Sequence, residues 1–396
     1  MMLASYYSKQ LEYVKNRYSA TPQIPQSLYL LYSQEGDTFS SSEEQLSRKF
    51  SIASITKSIT AMGILFLIDQ KKLSLETPLD SVLPATWESK GFQSRKITIL
   101  DLLRHRSGIP YRSSYMKMVK YKGGSLFIPE QIAVAGERYF YSNYNYYILK
   151  AIIEKVSGKT YSEYLKESLL DPLGMQDTQT RGSNGAGGII TSLRDLAKFG
   201  KLILHRGRLH GKPFISEQLI RKIWLTALND GIDEEDEYGL GWHVQQENGV
   251  VTSLYHAGNW FGTFSLIHLF PQEKGMLLLW ANPPNYQSKS LLEYRWKMVG
   301  LAKSYLHNLR IYTLNKTLPL NKFVGLYRAG DSHAQTKISL RQKKLVLESD
   351  ISTFLKRLDL TSFIVEQKKK TTIHFVEKDG EIIGFMAGKE FYNKVF

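Results

Sequence analysis

Three stretches near the start of the chain have a clear periodicity of apolar residues. Residues 5–18 repeat them at helical spacing, and residues 26–39, QSLYLLYSQEGDTF, form a strand-like run that a Gly-Asp turn closes. The run that follows Ser54 is apolar at positions 55, 59, 62, 65, 66 and 68, which makes most faces of a helix apolar. The pattern predicts a buried helix with Ser54 at its N-terminal end.

The middle of the chain carries helical patterns, and two strand patterns follow them. Short or medium helices are predicted within 97–110 and at 143–156, 160–170, 192–205, 216–226 and 288–306. The runs FSLIHLF (264–270) and GMLLLWAN (275–282) predict a hairpin that turns at 271–275. Strands at both ends of the first 285 residues therefore predict an α/β (α+β) domain, with one antiparallel sheet flanked by helices and a helical lobe beside it.

The character of the chain changes after residue 310. From Leu320 onward it consists of short strand-like runs, TKISLR, KLVLES, SFIVEQ, TTIHFVE and EIIGFMAG, with Asp379-Gly380 as a tight turn. We therefore predict two domains, a larger one at 1–310 and a small antiparallel β domain at 311–396.

Composition places the chain among globular proteins with a basic surface. Of the residues, 42% are hydrophobic and 22% are charged, and the formal net charge is +15. Such a charge attracts anions, but no helix-turn-helix, zinc-finger or RNA-recognition pattern accompanies it, so we expect no nucleic-acid partner. Without cysteine the chain has no disulfide, thiolate ligand or thiol nucleophile.

The chain as given has neither a signal-peptide pattern at residues 1–18 nor an apolar run long enough to span a membrane. We expect a protein without a transmembrane segment. The compartment stays open: a cell-envelope location, periplasmic or extracellular, would require that a leader had been removed, and a cytoplasmic location would not.

A serine and a lysine three residues apart mark the start of the predicted buried helix. Ser54 and Lys57 would lie on one face of that helix, where burial can lower the pKa of the amine and free it to accept the serine proton. The same spacing occurs at Ser114 and Lys117, in the basic stretch SSYMKMVKYKGG, which we expect to be an exposed loop. Taken alone, Ser54 and Lys57 would more often be a helix-cap pair than a catalytic pair.

Two further groups of residues carry candidate chemistry. Tyr141 and Asn143, on the turn into a predicted helix, offer a phenol for proton transfer and an amide for substrate binding, although an aromatic cluster in the core explains the same residues. His256, Gly258 and Asn259, in YHAGNWFG, lie where a strand can approach another backbone closely and leave N–H groups free.

The remaining histidines and aromatic residues point to no further site. We interpret His105 as structural, and His205 and His210 lack metal-ligand spacing, so no metal site is predicted. Tyr238 and Trp242 fit the wall of a cleft and the packing of a core equally well.

The three motifs in this order resemble the serine β-lactamase and penicillin-binding superfamily, in particular its branch of class C β-lactamases, D-peptidases and esterases. Its pattern of Ser-x-x-Lys, Tyr-x-Asn and Lys-Thr-Gly or His-x-Gly is matched by Ser54/Lys57, Tyr141/Asn143 and His256/Gly258. The resemblance covers about residues 25–285 and includes PLGM (172–175), GAGGIITSLRDLAKF (185–199) and YGLGW (238–242). The C-terminal β domain resembles the lipocalin-like extension of some of these hydrolases.

The resemblance implies an acyl-enzyme mechanism without a cofactor. Ser54 would be the nucleophile, Lys57 and Tyr141 together would move its proton, and which of the two is the base stays open. The backbone N–H groups of Ser54 and Asn259 would hold the oxyanion, and Asn143 would orient the substrate amide or the lysine. The partner would be a small-molecule or peptide acyl substrate, cell-wall peptides included.

One departure from the family pattern bears on the substrate. Where β-lactamases and DD-peptidases commonly have Lys-Thr-Gly, this chain has His256-Ala257-Gly258, which weakens the binding of a substrate carboxylate. We therefore expect hydrolysis of esters or amides, such as D-amino-acid peptides or β-lactam-like compounds. The alternatives are a penicillin-binding DD-carboxypeptidase or β-lactamase, and a non-catalytic penicillin-recognising protein.

Overall fold

The chain folds as two compact units, Met1–Lys303 and Ser304–Phe396. The computed structural model describes residues 2–19, 21–35, 38–83, 96–111, 116–121, 124–225, 237–247, 250–317, 319–329, 335–348, 353–357, 362–365, 371–378, 381–387 and 390–395.

An antiparallel sheet forms the centre of the first unit. Among the described residues its seven strands follow the order β2-β1-β13-β12-β11-β10-β9. Strand β1 (Ser27–Ser33) pairs with β13 (Gly275–Ala281) in the register Ser27↔Ala281, so the two ends of the unit meet in the middle of the sheet. This pairing confirms the predicted single sheet fed from both ends.

The other strands of this sheet are short at its edges and long near its centre. They are β2 (Phe39–Ser40), β9 (Glu237–Tyr238), β10 (His243–Glu247), β11 (Val250–Trp260) and β12 (Thr263–Phe270). Three two-stranded sheets of the described residues lie outside it. They pair β3 (Phe50–Ser51) with β6 (Ile190–Thr191), β4 (Met116–Tyr121) with β5 (Gly124–Pro129), and β7 (Arg208–Leu209) with β8 (Lys212–Pro213).

Helices cover both faces of the sheet. Helix α9 (Leu193–Leu204) packs on one face, where a Cβ added to Gly200 would lie 2.5 Å from Met276 Sδ. Helices α1 (Met2–Ser19) and α11 (Lys289–Thr317) lie on the other face, where the Tyr18 and Tyr294 rings are 5.7 Å apart. The other helices are α2 (Glu43–Leu46), α3 (Thr56–Asp69), α4 (Leu79–Val82), α5 (Ile99–Leu103), α6 (Asn143–Ser157), α7 (Tyr161–Leu165), α8 (Asp171–Leu173) and α10 (Glu217–Leu225).

Helix α3 is the buried helix that the apolar run predicts. From Thr56 to Leu67 every side chain is buried, including that of Lys57. A Cβ added to Gly63 would lie 3.1 Å from both Ile153 and Leu165, so the absence of a side chain lets α3 approach α6 and α7 closely. The α/β class, with a helical lobe beside the sheet, is confirmed.

Three elements differ from their predictions. The stretch around Lys117 is a strand of the β4–β5 hairpin rather than a loop, while Ser114 lies outside the described residues. The helix predicted at 160–170 is divided into α7 and a π-helical turn, Lys166–Leu170. Helix α11 continues to Thr317, eleven residues beyond the predicted end, because no Pro or Gly follows Gly300 before that residue.

The second unit contains a closed antiparallel barrel. Its eight described strands run in chain order from β14 to β21, and β14 pairs with β21 in the register Leu326↔Val395. The strands are β14 (Gly325–Ala329), β15 (Gln335–Arg341), β16 (Lys344–Glu348), β17 (Thr353–Arg357), β18 (Ser362–Val365), β19 (Thr371–Lys378), β20 (Glu381–Ala387) and β21 (Glu390–Val395). This confirms the predicted small antiparallel β domain; the turn predicted at Asp379-Gly380 lies outside the described residues.

Aromatic residues fill this barrel. The rings of Phe323, Phe363 and Phe375 lie 4.8–5.5 Å from one another at steep angles. In the described parts of both units, no helix is both long enough and apolar enough to cross a membrane.

Candidate active site

Ser54 lies in a 3-10 turn, Ala53–Ile55, directly before α3. The preceding strand β3 is held by pairing with β6 in the register Phe50↔Thr191, and Ala53 has a φ of 43°, in the left-handed region that alanine seldom adopts. Strain of this kind persists only where the surrounding structure imposes it, and it is frequent at functional sites. The turn leaves Ser54 half-buried, and the α-helix begins two residues later, at Thr56, rather than at Ser54 as predicted.

Lys57 is in the first turn of α3 and is fully buried. Its Nζ is 3.1 Å from Ser54 Oγ and donates to the carbonyl oxygen of Ala186 at 2.9 Å. No carboxylate of the described residues pairs with it. Burial lowers the pKa of Lys57 from 10.5 to about 7, so the amine can take up a proton near neutral pH.

Tyr141 lies on the other side of the lysine. The Lys57 Nζ is 4.8 Å from the centre of the Tyr141 ring, and the phenol is hydrogen-bonded to Ser54. Burial raises the pKa of Tyr141 far above its ordinary value, an effect that the hydrogen bond to Ser54 opposes. The phenol therefore keeps its proton at neutral pH, whereas the amine beside it loses its proton near that pH.

Asn143 begins helix α6 and is half-buried. The hydrogen bonds of the Lys57 amine go to Ser54 Oγ and to the Ala186 carbonyl in the turn at 185–188. Both tasks predicted for Asn143, orienting the lysine and orienting a substrate amide, stay predictions.

His105 supports the segment that carries Tyr141. It is fully buried, and its ring centre is 4.4 Å from that of Tyr141. Its Nδ1 accepts a hydrogen bond from the Ser142 backbone N–H at 3.1 Å, which places the ring proton on Nε2. Burial, and the charge of Lys57 after it, hold the pKa of His105 well below its usual range, so the ring is neutral.

His256, on β11, is buried against Tyr238. The Tyr238 hydroxyl and His256 Nε2 are 3.1 Å apart, and His256 Nδ1 donates to the carbonyl of Ala257 at 2.9 Å. Since the carbonyl can only accept, Nδ1 carries the proton and Tyr238 donates to Nε2. Burial first, and then the charges of His243 and Lys57, hold the pKa of His256 well below its usual range. The ring has no positive charge to offer a carboxylate.

Gly258 lets β11 lie directly against the serine turn. A Cβ at this position would be 2.1 Å from the Ile52 carbonyl oxygen and 2.4 Å from Ser265 Oγ. The Ser265 hydroxyl donates to the same Ile52 carbonyl at 3.0 Å and so ties β12 to the turn. The next residue, Asn259, is exposed and pairs with Phe264.

The structure thus brings Ser54, Lys57 and Tyr141 into contact and places β11, with His256 and Gly258, beside them. The sequence does not predict the Ala186 carbonyl as the second partner of Lys57, although the small residues of GAGG predict a turn there. Of the two aromatic residues that fit a cleft wall or a core, Tyr238 bonds to His256, and Trp242 is a core residue that stacks on Phe199 at 6.0 Å. Within the described ranges, no group of three His, Asp or Glu side chains is arranged to hold a metal ion.

Comparison with known proteins gives related sequences and folds. Residues 46–269 match the family model Beta-lactamase. Protein flp of Staphylococcus aureus (strain COL) is 32% identical over 353 residues, which cover 77% of this chain and 69% of that protein. Penicillin-binding protein 4* of Bacillus subtilis (strain 168) is 25% identical, over 59% of this chain; the chain spans only 60% of the length of that relative.

A solved structure shares the fold over nearly the whole length. The octameric penicillin-binding protein homologue from Pyrococcus abyssi superposes with a TM-score of 0.57 at 20% identity, over 98% of this chain and 99% of that one. The family match covers more than half of the chain and contains every residue of the site built above. On these grounds the chain belongs to the β-lactamase family of serine hydrolases.

Proposed function

We propose that the protein hydrolyses esters or amides through an acyl-enzyme formed on Ser54. The observation that carries the proposal is the buried Lys57 amine, 3.1 Å from Ser54 Oγ and without a carboxylate partner among the described residues. A lysine held in this way can accept a proton near pH 7, which an exposed lysine cannot.

Acylation would begin with Lys57 as the base. As Ser54 Oγ forms a bond to the substrate carbonyl carbon, its proton passes to Lys57 Nζ and the carbonyl electron pair becomes an oxyanion. We assign the stabilisation of that oxyanion to the backbone N–H groups of Ser54 and Asn259. Tyr141 is a poorer base than Lys57 because burial keeps its phenol protonated.

Tyr141 would instead supply the leaving group with a proton. The phenol donates to the departing oxygen or nitrogen as the bond to the carbonyl carbon breaks, and it is reprotonated from the Lys57 ammonium beside it. Water then attacks the acyl carbon as Lys57 accepts a proton from it; the bond from that carbon to Ser54 Oγ breaks, Lys57 returns the proton to Oγ, and the carboxylic acid leaves. Asn143 is proposed to bind the carbonyl or amide next to the bond that breaks.

Because the His256 ring is neutral, we expect substrates that have no carboxylate to be bound at the third motif. Both of its ring nitrogens are used, by Tyr238 and by the Ala257 carbonyl, so its part in binding is proposed to be the placement of the strand through Gly258 and Asn259. A D-stereospecific amidohydrolase from Streptomyces shares the fold, so D-amino-acid amides or peptides are reasonable test substrates beside simple esters.

The proposed catalytic residues all lie in the unit Met1–Lys303. This supports the proposal that a domain at 1–310 performs the chemistry and that the β domain at 311–396 supplies none of the reacting groups.

The proposal is tested by steady-state rates on p-nitrophenyl butyrate, a D-Ala-D-Ala peptide and a chromogenic cephalosporin. We expect turnover of the ester or of the peptide, with the cephalosporin the poorest substrate, and loss of all turnover in Ser54→Ala. Ser114→Ala, which changes the other Ser-x-x-Lys serine, is the matched control and should keep full activity. Cephalosporin as the best substrate would overturn the substrate assignment, and activity in Ser54→Ala would overturn the mechanism.

A further inference from the structure

A cavity of about 210 Å³ lies on the face of the sheet opposite the serine turn, between β10–β12 and α11. On β11, Leu254 and His256 point toward the serine turn, whereas Tyr255 and its partner His268 on β12 point toward α11. The described residues that line it include Ser253, His268, Phe270, Arg295, Trp296 and Lys303. The cavity is therefore separate from the proposed active site.

The cavity is cationic. The Arg295 guanidinium lies 5.1 Å from the centre of the Tyr255 ring and 5.7 Å from that of Trp296, so aromatic rings hold it in place. Within the described part of the chain, no carboxylate pairs with Arg295. Lys303 lines the same cavity and has one exposed partner, Glu247, at 3.3 Å. No Asp or Glu is among the lining residues that the structure describes.

A buried polar atom in the cavity wall has no partner. His268 is 4% exposed, stacks between Tyr255 and Phe270 at 5.4 and 4.6 Å, and its Nδ1 makes no hydrogen bond. Burial, and then the charges of Arg295 and Lys303, lower the pKa of His268 to about 3, so the ring is neutral and carries a proton on one of its two nitrogens. A buried polar atom without a partner is costly, and a ligand that pairs with Nδ1 removes that cost.

We propose that this cavity binds the oxyanion group, carboxylate or phosphate, of a small molecule. The in-plane N–H groups of Arg295 match the paired oxygens of either group, and Lys303 adds a second positive charge. His268, in the tautomer that carries its proton on Nδ1, donates the third contact. The Ser253 hydroxyl, 3% exposed, is engaged with Gln245 Oε1 at 2.8 Å and shapes the polar end of the wall.

The test is a thermal-shift and calorimetric titration of the full chain with sodium phosphate and with sodium acetate, against sodium chloride at matched ionic strength. A saturable rise in Tm with phosphate or acetate beyond that with chloride is expected. A saturable shift with phosphate but not with acetate would indicate a phosphate-bearing ligand. The reverse result would indicate a carboxylate-bearing one. No saturable effect of either anion would overturn the proposal.

Variants locate the binding. Arg295→Gln should weaken it at least tenfold, and Lys303→Gln, an exposed change that leaves the core untouched, at least threefold. Arg194→Gln is the matched control, because Arg194 already pairs with Glu43 at 2.9 Å on another helix, and it should bind as the unchanged chain does. Equal affinity in Lys303→Gln and the unchanged chain would place the anion elsewhere and overturn the assignment.

Discussion

Lys57 shows how a single side chain acquires its chemistry from its surroundings. Its amine is buried with two hydrogen-bond partners, Ser54 Oγ and the Ala186 carbonyl, neither of which is an anion. The neutral form is therefore favoured, and the pKa falls to about 7. An exposed lysine would keep its proton far above the pH at which most enzymes work.

The first prediction concerns the pH dependence of hydrolysis. Because only the neutral amine accepts the Ser54 proton, kcat/KM for p-nitrophenyl butyrate should rise with pH through an apparent pKa of about 7 and level off above it. Initial rates measured between about pH 5.5 and 9 at constant ionic strength test this. A profile that is flat across the range, or one that climbs only near the ordinary pKa of lysine, would contradict the role of Lys57 as base.

The second prediction concerns stability. In the unfolded chain Lys57 keeps its proton up to its ordinary pKa of 10.5, but in the folded protein it loses the proton near 7. Between these values the unfolded state binds one proton more, so the free energy of unfolding should rise with pH by about 1.4 kcal/mol per unit from this group. Below pH 7 the full cost of burying the charge is present.

The variant Lys57→Met has no titrating amine at this position. Its difference in stability from the unchanged protein therefore reports the titration of Lys57 alone. We expect the variant to be more stable than the unchanged protein at pH 6.5, and its advantage to shrink as pH rises to 9. Urea unfolding of both proteins at several pH values measures the difference. A constant difference would mean that the lysine is charged in the folded state.

At the residue scale, motif order predicted which side chains meet, but not how they are held. Ser54, Lys57 and Tyr141 were identified because they recur at fixed spacing and order in a known family. The Ala186 carbonyl could not be found in this way, since a backbone group has no residue preference of its own. The hydrogen bond between Tyr238 and His256 could not be predicted either. It joins strands β9 and β11, and only the folded sheet brings these two strands together.

At the element scale, the site depends on a close approach between β11 and the serine turn. Gly258 permits it, and the Ser265 hydroxyl secures it through the Ile52 carbonyl. The strained φ of Ala53 lies in the same turn. The proposed nucleophile and the proposed substrate-binding strand are thus placed by a close approach of their backbones.

The third prediction follows from that contact. In Gly258→Ala the new methyl would fall 2.1 Å from the Ile52 carbonyl oxygen, and the strand must move away. We expect a loss of about 1–3 kcal/mol in stability from the clash and of about 100-fold in kcat/KM from the displaced turn. Chemical denaturation and ester hydrolysis measure the two effects.

Gly300→Ala is the control for adding a methyl group. Gly300 lies inside α11 with no atom within 4 Å of the added Cβ, so alanine should stabilise the protein by about 0.5–1 kcal/mol through helix propensity. Its activity should be unchanged. Full activity in Gly258→Ala would show that the close approach is not needed for catalysis.

Periodicity predicted the long elements well and the irregular ones poorly. The apolar run of α3 and the strands β12 and β13 have strong patterns that tertiary contacts do not overrule. The β4–β5 hairpin occupies a stretch that the sequence predicts to be a loop, because its basic residues hide the alternation typical of a strand. Three barrel strands of five or six residues, β14, β17 and β21, have no counterpart among the predicted runs.

At the scale of the whole molecule, the net charge of +15 is the largest unexplained feature of the sequence. Most ion pairs of the described residues are exposed, such as Lys166 with Asp171 and Lys274 with Glu35. Exposed pairs of this kind contribute little to stability. The uncompensated charge instead produces a long-range field that draws anions toward the surface.

The fourth prediction concerns that field. Between about 0.02 and 0.2 M NaCl the Debye length falls from more than 20 Å to less than 10 Å, so kcat/KM for an anionic ester should fall about threefold or more. The neutral p-nitrophenyl butyrate should change much less, and it serves as the control for general effects of salt. Equal salt dependence of p-nitrophenyl hemisuccinate and the butyrate would remove any role of the net charge in substrate attraction.

The central claim is that Ser54 is the nucleophile, and covalent labelling tests it most directly. Intact mass spectrometry after treatment with a fluorophosphonate should show a single adduct on the folded protein and on Ser114→Ala, and none on Ser54→Ala. An unmodified mass for the folded protein, or an adduct that persists in Ser54→Ala, would contradict the account.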